Sequence, residues 1–174
     1  HGNPGMQSPT RGIFCGGYGS FSPDVNSPYA YNRMQLITMA SKGNTTRFGE
    51  LNVGGARGGA GGNSVRGVWG GGVNLPSSTM NALIEYVIIA SEGNGTNFGE
   101  LTVGRRNNPE VNDSSTRAVF CGGIADDGTA PAATNYMDYI TIASAGNAID
   151  FGDVTGKIKA SGAISDSHGG LGGF

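Results

Sequence analysis

Apolar and polar positions recur in three similar copies along this chain. Each copy begins with an Arg, a short apolar run and a Gly-Gly pair, and a second apolar run follows after a loop of variable length. The copies start at Arg11, Arg66 and Arg117, so they are 55 and then 51 residues apart. A nearly constant period of this size is typical of proteins built from stacked or ring-arranged supersecondary units.

The first apolar run of each copy predicts a β-strand that is covered on both faces. Side chains alternate across a strand, which places one aromatic ring per copy on one face and smaller apolar groups on the other. The Gly-Gly pairs at 16–17, 71–72 and 122–123 allow the chain to bend or to approach a neighbouring backbone closely. The aromatic residues are Phe14, Trp69 and Phe120.

The second apolar run is the clearest strand prediction in the chain. Residues 35–41, 85–91 and 138–144 are rich in β-branched and aromatic residues and have the length of a strand. A helix is a poor fit, because each run is short and is followed closely by Gly-Asn.

A turn and a third strand close each copy. Gly-Asn at 43–44, 93–94 and 146–147 predicts a turn, since both residues tolerate positive φ. The Phe-Gly-acid step that follows predicts a strand with a bulge. The Gly-rich stretch at residues 54–62 predicts a mobile loop. The three aromatic residues of the step are Phe48, Phe98 and Phe151.

Composition limits the possible functions. The chain has 174 residues, 33 of them Gly, with 14% charged residues and a formal net charge of −2. A nucleic-acid surface requires clustered Lys and Arg, so we expect no nucleic-acid partner. Apolar runs are too short for a membrane span, so we expect no membrane partner.

The length fits a single domain covering residues 1–174. We place the repeats at approximately 11–65, 66–116 and 117–165, with a Gly-rich tail at 166–174. The chain opens at His1 rather than Met, which suggests a processed product or a piece of a longer protein. It stops where a fourth copy would begin, which fits either a ring closed by the last and first strands or a cut inside a longer array.

Candidate catalytic groups are sparse. His1 and His168 both lie in Gly-rich termini, where we expect no catalytic role. Polar groups recur at two positions of each copy, which indicates a structural role such as accepting hydrogen bonds from the repeated Arg11, Arg66 and Arg117. We therefore expect no enzyme activity, no metal and no cofactor. The recurring groups are Glu50, Glu100 and Asp153, and Gln35, Glu85 and Asp138.

Two cysteines occupy equivalent positions in the first and third copies. Cys15 and Cys121 are either small buried apolar residues or disulfide partners, and sequence leaves both alternatives open.

The best candidate for binding is the first variable loop, YGSFSPDVNSPYAY. Exposed aromatic rings can stack on sugars or anchor a protein interface, and they can also cover the open edge of a sheet. The aromatic residues of this loop are Tyr18, Phe21, Tyr29 and Tyr31.

The order of these features resembles the kelch repeat, a propeller blade of about 50 residues. More closely, the three copies are similar to the kelch-like repeats of tail and other virion structural proteins of marine and cyanobacterial phages. The chain lacks the later Trp of kelch blades, and three copies are fewer than the usual four to eight blades. The resemblance implies an all-β fold, as a three-sheet prism-like body with pseudo-threefold symmetry or as a partial β-propeller completed by another chain.

The resemblance also implies a function. We expect a non-enzymatic virion structural protein, as a tail fibre, tail or capsid-surface (decoration) component, that serves assembly and surface display on the extracellular particle. Its expected partners are other virion proteins or further copies of itself. The alternative is a carbohydrate-binding module that recognises a host surface glycan through the variable loops.

Overall fold

All regular elements of the described residues are β-strands. The computed structural model describes residues 4–17, 32–53, 55–74, 79–107, 110–126, 130–159 and 162–165. The predicted all-β class is confirmed. The strands are β1 (Gly5–Gln7), β2 (Arg11–Cys15), β3 (Arg33–Thr38), β4 (Thr46–Glu50), β5 (Gly55–Gly62), β6 (Arg66–Asn74), β7 (Thr79–Met80), β8 (Leu83–Ile88), β9 (Thr96–Glu100), β10 (Arg105–Arg106), β11 (Glu110–Asp113), β12 (Arg117–Cys121), β13 (Ile124–Ala125), β14 (Ala132–Thr141) and β15 (Ile149–Ile158).

The strands form three sheets that share one antiparallel meander. Sheet 1 has the order β1-β2-β3-β4, sheet 2 the order β5-β6-β8-β9, and sheet 3 contains β11-β12-β14-β15. Short additional strands extend sheets 2 and 3: β7 pairs with β6, β13 pairs with the start of β14, and β10 pairs with β13. The three predicted sheets are confirmed.

The second and third strands pair in the same register in every sheet. The repeated Arg lies opposite Thr38 in sheet 1, Ile88 in sheet 2 and Thr141 in sheet 3. The predicted bulge is confirmed too, because the register shifts in each sheet at the Phe of the Phe-Gly-acid step. Sequence equivalence along the copies therefore corresponds to equivalence of position in the sheets.

The Gly-Gly pairs adopt backbone conformations that side chains rarely allow. All six of these glycines have positive φ, from 61° at Gly16 to 109° at Gly17. They follow the second strand in sheets 1 and 3 and lie within β6, the longer second strand of sheet 2. Any residue with a Cβ would be strained at these positions.

The prediction for residues 54–62 is wrong. This segment forms β5, an eight-residue strand that opens sheet 2 and pairs with β6 along its length. Its glycines leave no side-chain pattern from which a strand could be predicted. Each sheet consequently begins before its repeated Arg, so the sheets are offset from the repeat boundaries by one strand.

The prediction for Gly-Asn is also wrong in detail. The tight turn comes earlier, closed in sheet 1 by a hydrogen bond from Ser41 N to Thr38 O of 3.3 Å, and Gly43 and Asn44 follow it in an extended segment. None of the three Gly-Asn pairs has positive φ. The pairs at 93–94 and 146–147 instead contact the preceding sheet.

Two apolar clusters hold the sheets together in chain order. The first joins sheets 1 and 2 and contains Trp69, Phe48 and Cys15. The second joins sheets 2 and 3 and contains Phe120, Phe98 and Val111. Sheet 2 is therefore buried on both faces, whereas sheets 1 and 3 each have one face covered by a neighbouring sheet.

Candidate functional site

Backbone hydrogen bonds join the fourth strand of one sheet to the Gly-Asn segment of the next. At junction 1, between sheets 1 and 2, the amide of Gly93 donates to the carbonyl of Phe48 at 3.0 Å. Two residues further on, the amide of Gly95 donates to the carbonyl of Glu50 at 2.8 Å. The equivalent bonds of junction 2, between sheets 2 and 3, are Gly146 N to Phe98 O at 2.7 Å and Ala148 N to Glu100 O at 2.8 Å.

The Asn of this segment adds a side-chain bond at each junction. Asn94 Oδ1 accepts from the amide of Glu50 at 3.0 Å, and Asn147 Oδ1 accepts from the amide of Glu100 at 3.1 Å. The repeated acids thus contribute backbone groups to the junctions. Their carboxylates remain on the surface.

The glycine of the Phe-Gly-acid step permits this close approach. A Cβ on Gly49 would overlap the carbonyl oxygen of Gly93, and one on Gly99 would overlap that of Gly146. Glycine is needed here because two backbones meet without room for a side chain.

The repeated Arg binds backbone carbonyls of the next sheet. Arg11 Nη1 donates to Ile89 O at 3.1 Å, and Arg66 Nη1 donates to Ile142 O at 3.0 Å. The predicted pairing of Arg11 and Arg66 with the repeated acids is wrong, because both guanidinium groups reach a carbonyl just beyond the end of a third strand, and Arg66 Nη1 also donates to Ala143 O at 2.8 Å. Glu50 instead pairs with Arg47 at 2.8 Å.

Two members of the second set of recurring polar residues, Glu85 and Asp138, are buried and hold the loop after the fourth strand of the preceding sheet, whereas Gln35 is half-buried and accepts from Thr45 of its own sheet. Glu85 Oε1 accepts from Asn52 N at 2.8 Å and Asn52 Nδ2 at 2.5 Å. Asp138 accepts from Thr102 Oγ1 at 2.7 Å and Thr102 N at 3.3 Å. Both carboxylates therefore satisfy a structural requirement between sheets, as predicted for these positions.

Sequence reasoning missed Arg105, the most deeply buried charged residue. Its side chain is fully buried, and Nη2 forms an ion pair of 2.8 Å with Asp138 Oδ2. Burial lowers the pKa of Arg105 from its ordinary value, and the nearby Asp138 carboxylate opposes that change. The sequence signal for this pair was the Arg-Arg step in the linker before the third copy, which carries two cations that the repeat pattern does not use.

Sheet 1 presents an uncovered face, which we call the leading face. It carries Phe14, Ile37 and Met39, and the segment containing Gly43 and Asn44 lies at its edge. The equivalent residues of sheets 2 and 3 are buried at the junctions, but Phe14 is 45% exposed and Met39 49% exposed. The prediction that every copy is covered on both faces is therefore wrong for sheet 1, because no earlier sheet packs on it.

Sheet 3 presents the opposite uncovered face, which we call the trailing face. It carries Val119, Tyr139 and Phe151, beside Gly152 and Asp153. Phe48 and Phe98 are each 3% exposed, whereas Phe151 is 50% exposed. Its contact with a ring of its own sheet is an edge-on one with Tyr139 at 5.8 Å between centroids.

The remaining sequence candidates are outside the described part of the chain or away from any reactive cluster. Tyr18, Phe21, Tyr29 and Tyr31 all lie outside the described residues, as do His1 and His168. Both cysteines are free thiols. Burial between sheets 1 and 2 raises the pKa of Cys15 far above its ordinary value, which keeps the thiol protonated and unreactive.

A cavity of about 340 Å³ is lined by residues of β1, β5 and β11, the first strands of the three sheets, and by Phe14, Ile37 and Met39 of the leading face. Its lining is mainly glycine and apolar side chains, and its carboxylate, Asp113, already accepts a hydrogen bond from Gly62 N at 2.6 Å. Within the described ranges, no group of three or more His, Cys, Asp or Glu could hold a metal ion. Nor do those ranges contain a helix with the length and apolar character needed to cross a membrane.

Comparison with known proteins adds no relative. No protein family matches the sequence, and no curated protein matches it. The candidate site is therefore defined by geometry alone: two internal junctions of one design, and two uncovered faces whose residues correspond to the two sides of such a junction.

Proposed function

We propose that this protein is a non-enzymatic structural component of a phage particle, as part of the tail, a tail fibre or the capsid surface, that serves assembly and surface display. The observation that carries the proposal is the use of the recurring polar groups. Glu85 and Asp138, the buried carboxylates that an enzyme could use as acids, are committed to bonds between sheets. Two of the repeated Arg, Arg11 and Arg66, are committed in the same way.

The kelch-like interpretation of the repeats belongs to this proposal. Three four-stranded antiparallel meanders that pack face to face in chain order support it. In a prism, each sheet would turn one face to a shared interior. Here sheet 2 turns one face to each neighbour, which favours a partial propeller over the prism-like body.

A localisation experiment tests the proposal. Antibodies against the recombinant chain would be applied to purified particles of the phage that encodes it, with immunogold microscopy and mass spectrometry of the same particles. We expect label at one fixed structure of the particle. Absence of the protein from purified particles would overturn the assignment.

Recognition of a host glycan is a second candidate, favoured by the four aromatic residues in the loop between β2 and β3. A glycan array would compare the wild type with Tyr29→Ala and Tyr31→Ala. Tyr136→Ala is the matched control, because Tyr136 is an exposed tyrosine outside this loop. Binding lost in the loop variants but kept in the control would support recognition, and binding to no glycan would exclude it.

A further inference from the structure

We propose that the protein binds a second copy of itself head to tail, with the leading face of sheet 1 in one copy packed on the trailing face of sheet 3 in the other. The contacts would be those that already join successive sheets within the chain. This inference rests on the junction geometry, and it does not depend on the particle to which the protein belongs.

The apolar part of the leading face supports this partner. Phe14 occupies the position of Trp69 and Phe120, which are 2% and 0% exposed where the preceding sheet covers them. Met39 occupies the position of two equally buried isoleucines, Ile89 and Ile142. A third apolar residue, Ile37, lies beside them and contributes to the same face. A sheet that packs on these side chains must carry the residues of a trailing face.

The trailing face of sheet 3 offers those residues. Phe151 occupies the position of Phe48 and Phe98, each of which is buried by the sheet that follows it. Two further side chains of sheet 3, Val119 and Tyr139, stand where Ile13 and Leu36 of sheet 1 are covered by sheet 2. Both uncovered faces therefore present one half of a contact that the chain forms twice internally.

The polar groups match as well. At the internal junctions, the Gly-Asn segment lies along the fourth strand of the preceding sheet. By the same geometry, Gly43 N would donate to Phe151 O of the other copy, and Asn44 Oδ1 would accept from Asp153 N. These are the groups that Gly93 and Asn94 bind in Phe48 and Glu50.

Space and charge also fit. At Gly152, an added Cβ would meet no atom closer than Met137 Cε at 3.9 Å, so the volume that Gly93 or Gly146 fills at the internal junctions is open. Lys42, which precedes Gly43, would lie near Asp150 of the other copy. The equivalent positions at junction 1 hold Glu92 and Arg47, which also have opposite charges, although Arg47 forms its ion pair with Glu50.

The repeated Arg gives one further match. Arg11 and Arg66 each donate to a carbonyl at the end of the third strand in the next sheet. Arg117 is exposed, and its guanidinium stacks on Tyr139 at 4.9 Å from the ring centroid. In the head-to-tail pair, this guanidinium would reach the carbonyl of Met39.

Because the two faces differ, the contact is heterologous. Such contacts close into a ring when the rotation between copies permits it, and otherwise extend into a filament. Sedimentation velocity of the wild-type chain over a range of concentrations tests the association. We expect species of two or more chains. The proposal would be overturned if the protein sedimented with the mass of a single chain at every concentration.

Two variants test which faces meet. Met39→Asp places a carboxylate on the leading face, and Phe151→Asp places one on the trailing face. Both side chains are exposed in the single chain, so we expect both variants to fold, with thermal unfolding as the check. Each would weaken self-association by about 100-fold or more, because the contact would bury an unpaired charge. Val65→Asp is the matched control, since Val65 is 57% exposed in the β5–β6 turn and lies on neither face.

Mixing the two variants distinguishes head-to-tail pairing from pairing through one face. Met39→Asp keeps an intact trailing face and Phe151→Asp an intact leading face, so the mixture can still form one good junction. With a different affinity tag on each variant, we expect them to co-purify. The proposal fails if the mixture remains monomeric or if either variant alone associates as well as the wild type.

Discussion

The two internal junctions share their backbone bonds and differ in how they bury a carboxylate. Glu85 at junction 1 meets neutral donors, the amide and the side chain of Asn52. Asp138 at junction 2 accepts a hydrogen bond from Thr102, which occupies the position of Asn52, and in addition forms an ion pair with the guanidinium of Arg105. The position in the sheet is identical, but only junction 2 contains a buried ion pair.

This difference shows which part of the repeat is fixed. Carbonyls, amides and glycines meet in the same way at both junctions, so the backbone contact determines how sheets are stacked. The side chains around the buried carboxylate vary, because any donor set that satisfies it is sufficient. A residue from the linker between the recurring motifs, such as Arg105 in β10, can then be used at one junction alone.

The largest effect is expected from the aromatic ring at either junction. Trp69→Ala and Phe120→Ala should each lower the free energy of unfolding by about 3–5 kcal/mol, because both leave a cavity between packed sheets. Phe14→Ala, at the equivalent exposed position, should cost less than about 1 kcal/mol in the monomeric chain. Urea unfolding measures all three, and a similar loss in all would contradict the distinction between buried junction and open face.

Neutralising the buried carboxylate should destabilise the protein more at junction 2 than at junction 1. Asp138→Asn should cost about 3 kcal/mol, since it leaves the Arg105 guanidinium buried without its counter-charge. Glu85→Gln should cost less than about 1.5 kcal/mol, because the amide oxygen still accepts from Asn52. The exposed pair gives the control: Arg47→Ala should change stability by less than about 1 kcal/mol. Equal losses at Asp138 and Glu85 would show that the ion pair adds nothing.

Close backbone approach should be sensitive to one methyl group. Gly49→Ala should cost about 1–3 kcal/mol, because the methyl would displace the carbonyl of Gly93 and weaken the bonds of junction 1. Gly156→Ala is the matched control, since a Cβ there would meet no atom within 4 Å. Thermal unfolding measures both, and an unchanged melting temperature in Gly49→Ala would refute the steric requirement.

The smallest expected difference between the junctions is in the pH dependence of stability, and it appears only in alkaline solution. Cys15 lies in junction 1, whereas sheet 2 has Gly70 at that position, against the ring of Phe120 at junction 2. Burial raises the pKa of Cys15, so above about pH 8.5 the unfolded chain releases the thiol proton while the folded chain keeps it. The unfolded state then binds fewer protons, and stability falls as the pH rises.

Urea unfolding between pH 7 and 10 measures this decline for the wild type and for Cys15→Ala. Without the thiol, the decline should be smaller by up to about 1.4 kcal/mol per pH unit. Identical pH profiles would show that Cys15 does not contribute.

The strands and bulges could be predicted because their side chains carry the signal. β8 and β14 are apolar and β-branched, and the Phe-Gly-acid step marks the bulge in every copy. β5 could not be predicted, since a strand of glycine and alanine has no alternating pattern to detect. Its identity as a strand comes from pairing with β6.

The partners of the charged residues could not be predicted for a different reason. The recurrence of Arg11 and Arg66 suggested side-chain acceptors, yet both bind carbonyls of a neighbouring sheet. Which atoms a long guanidinium reaches depends on how sheets stack, and the sequence of one copy does not contain that information. The same limit explains why Arg105 was missed and why the uncovered faces became evident only from burial.

The glycines of β5 have a geometric consequence. β5 contacts both β1 and β11, and Gly61 leaves room for Val111 and Asp113 of sheet 3. Further out, the spacing between sheets is set by rings as large as those of Trp69 and Phe98. Because the first strands carry small residues and the outer packing carries large rings, we expect each sheet to be inclined relative to the last. The curvature of the array is therefore encoded in side-chain volume, and a bulkier residue at position 61 would straighten it.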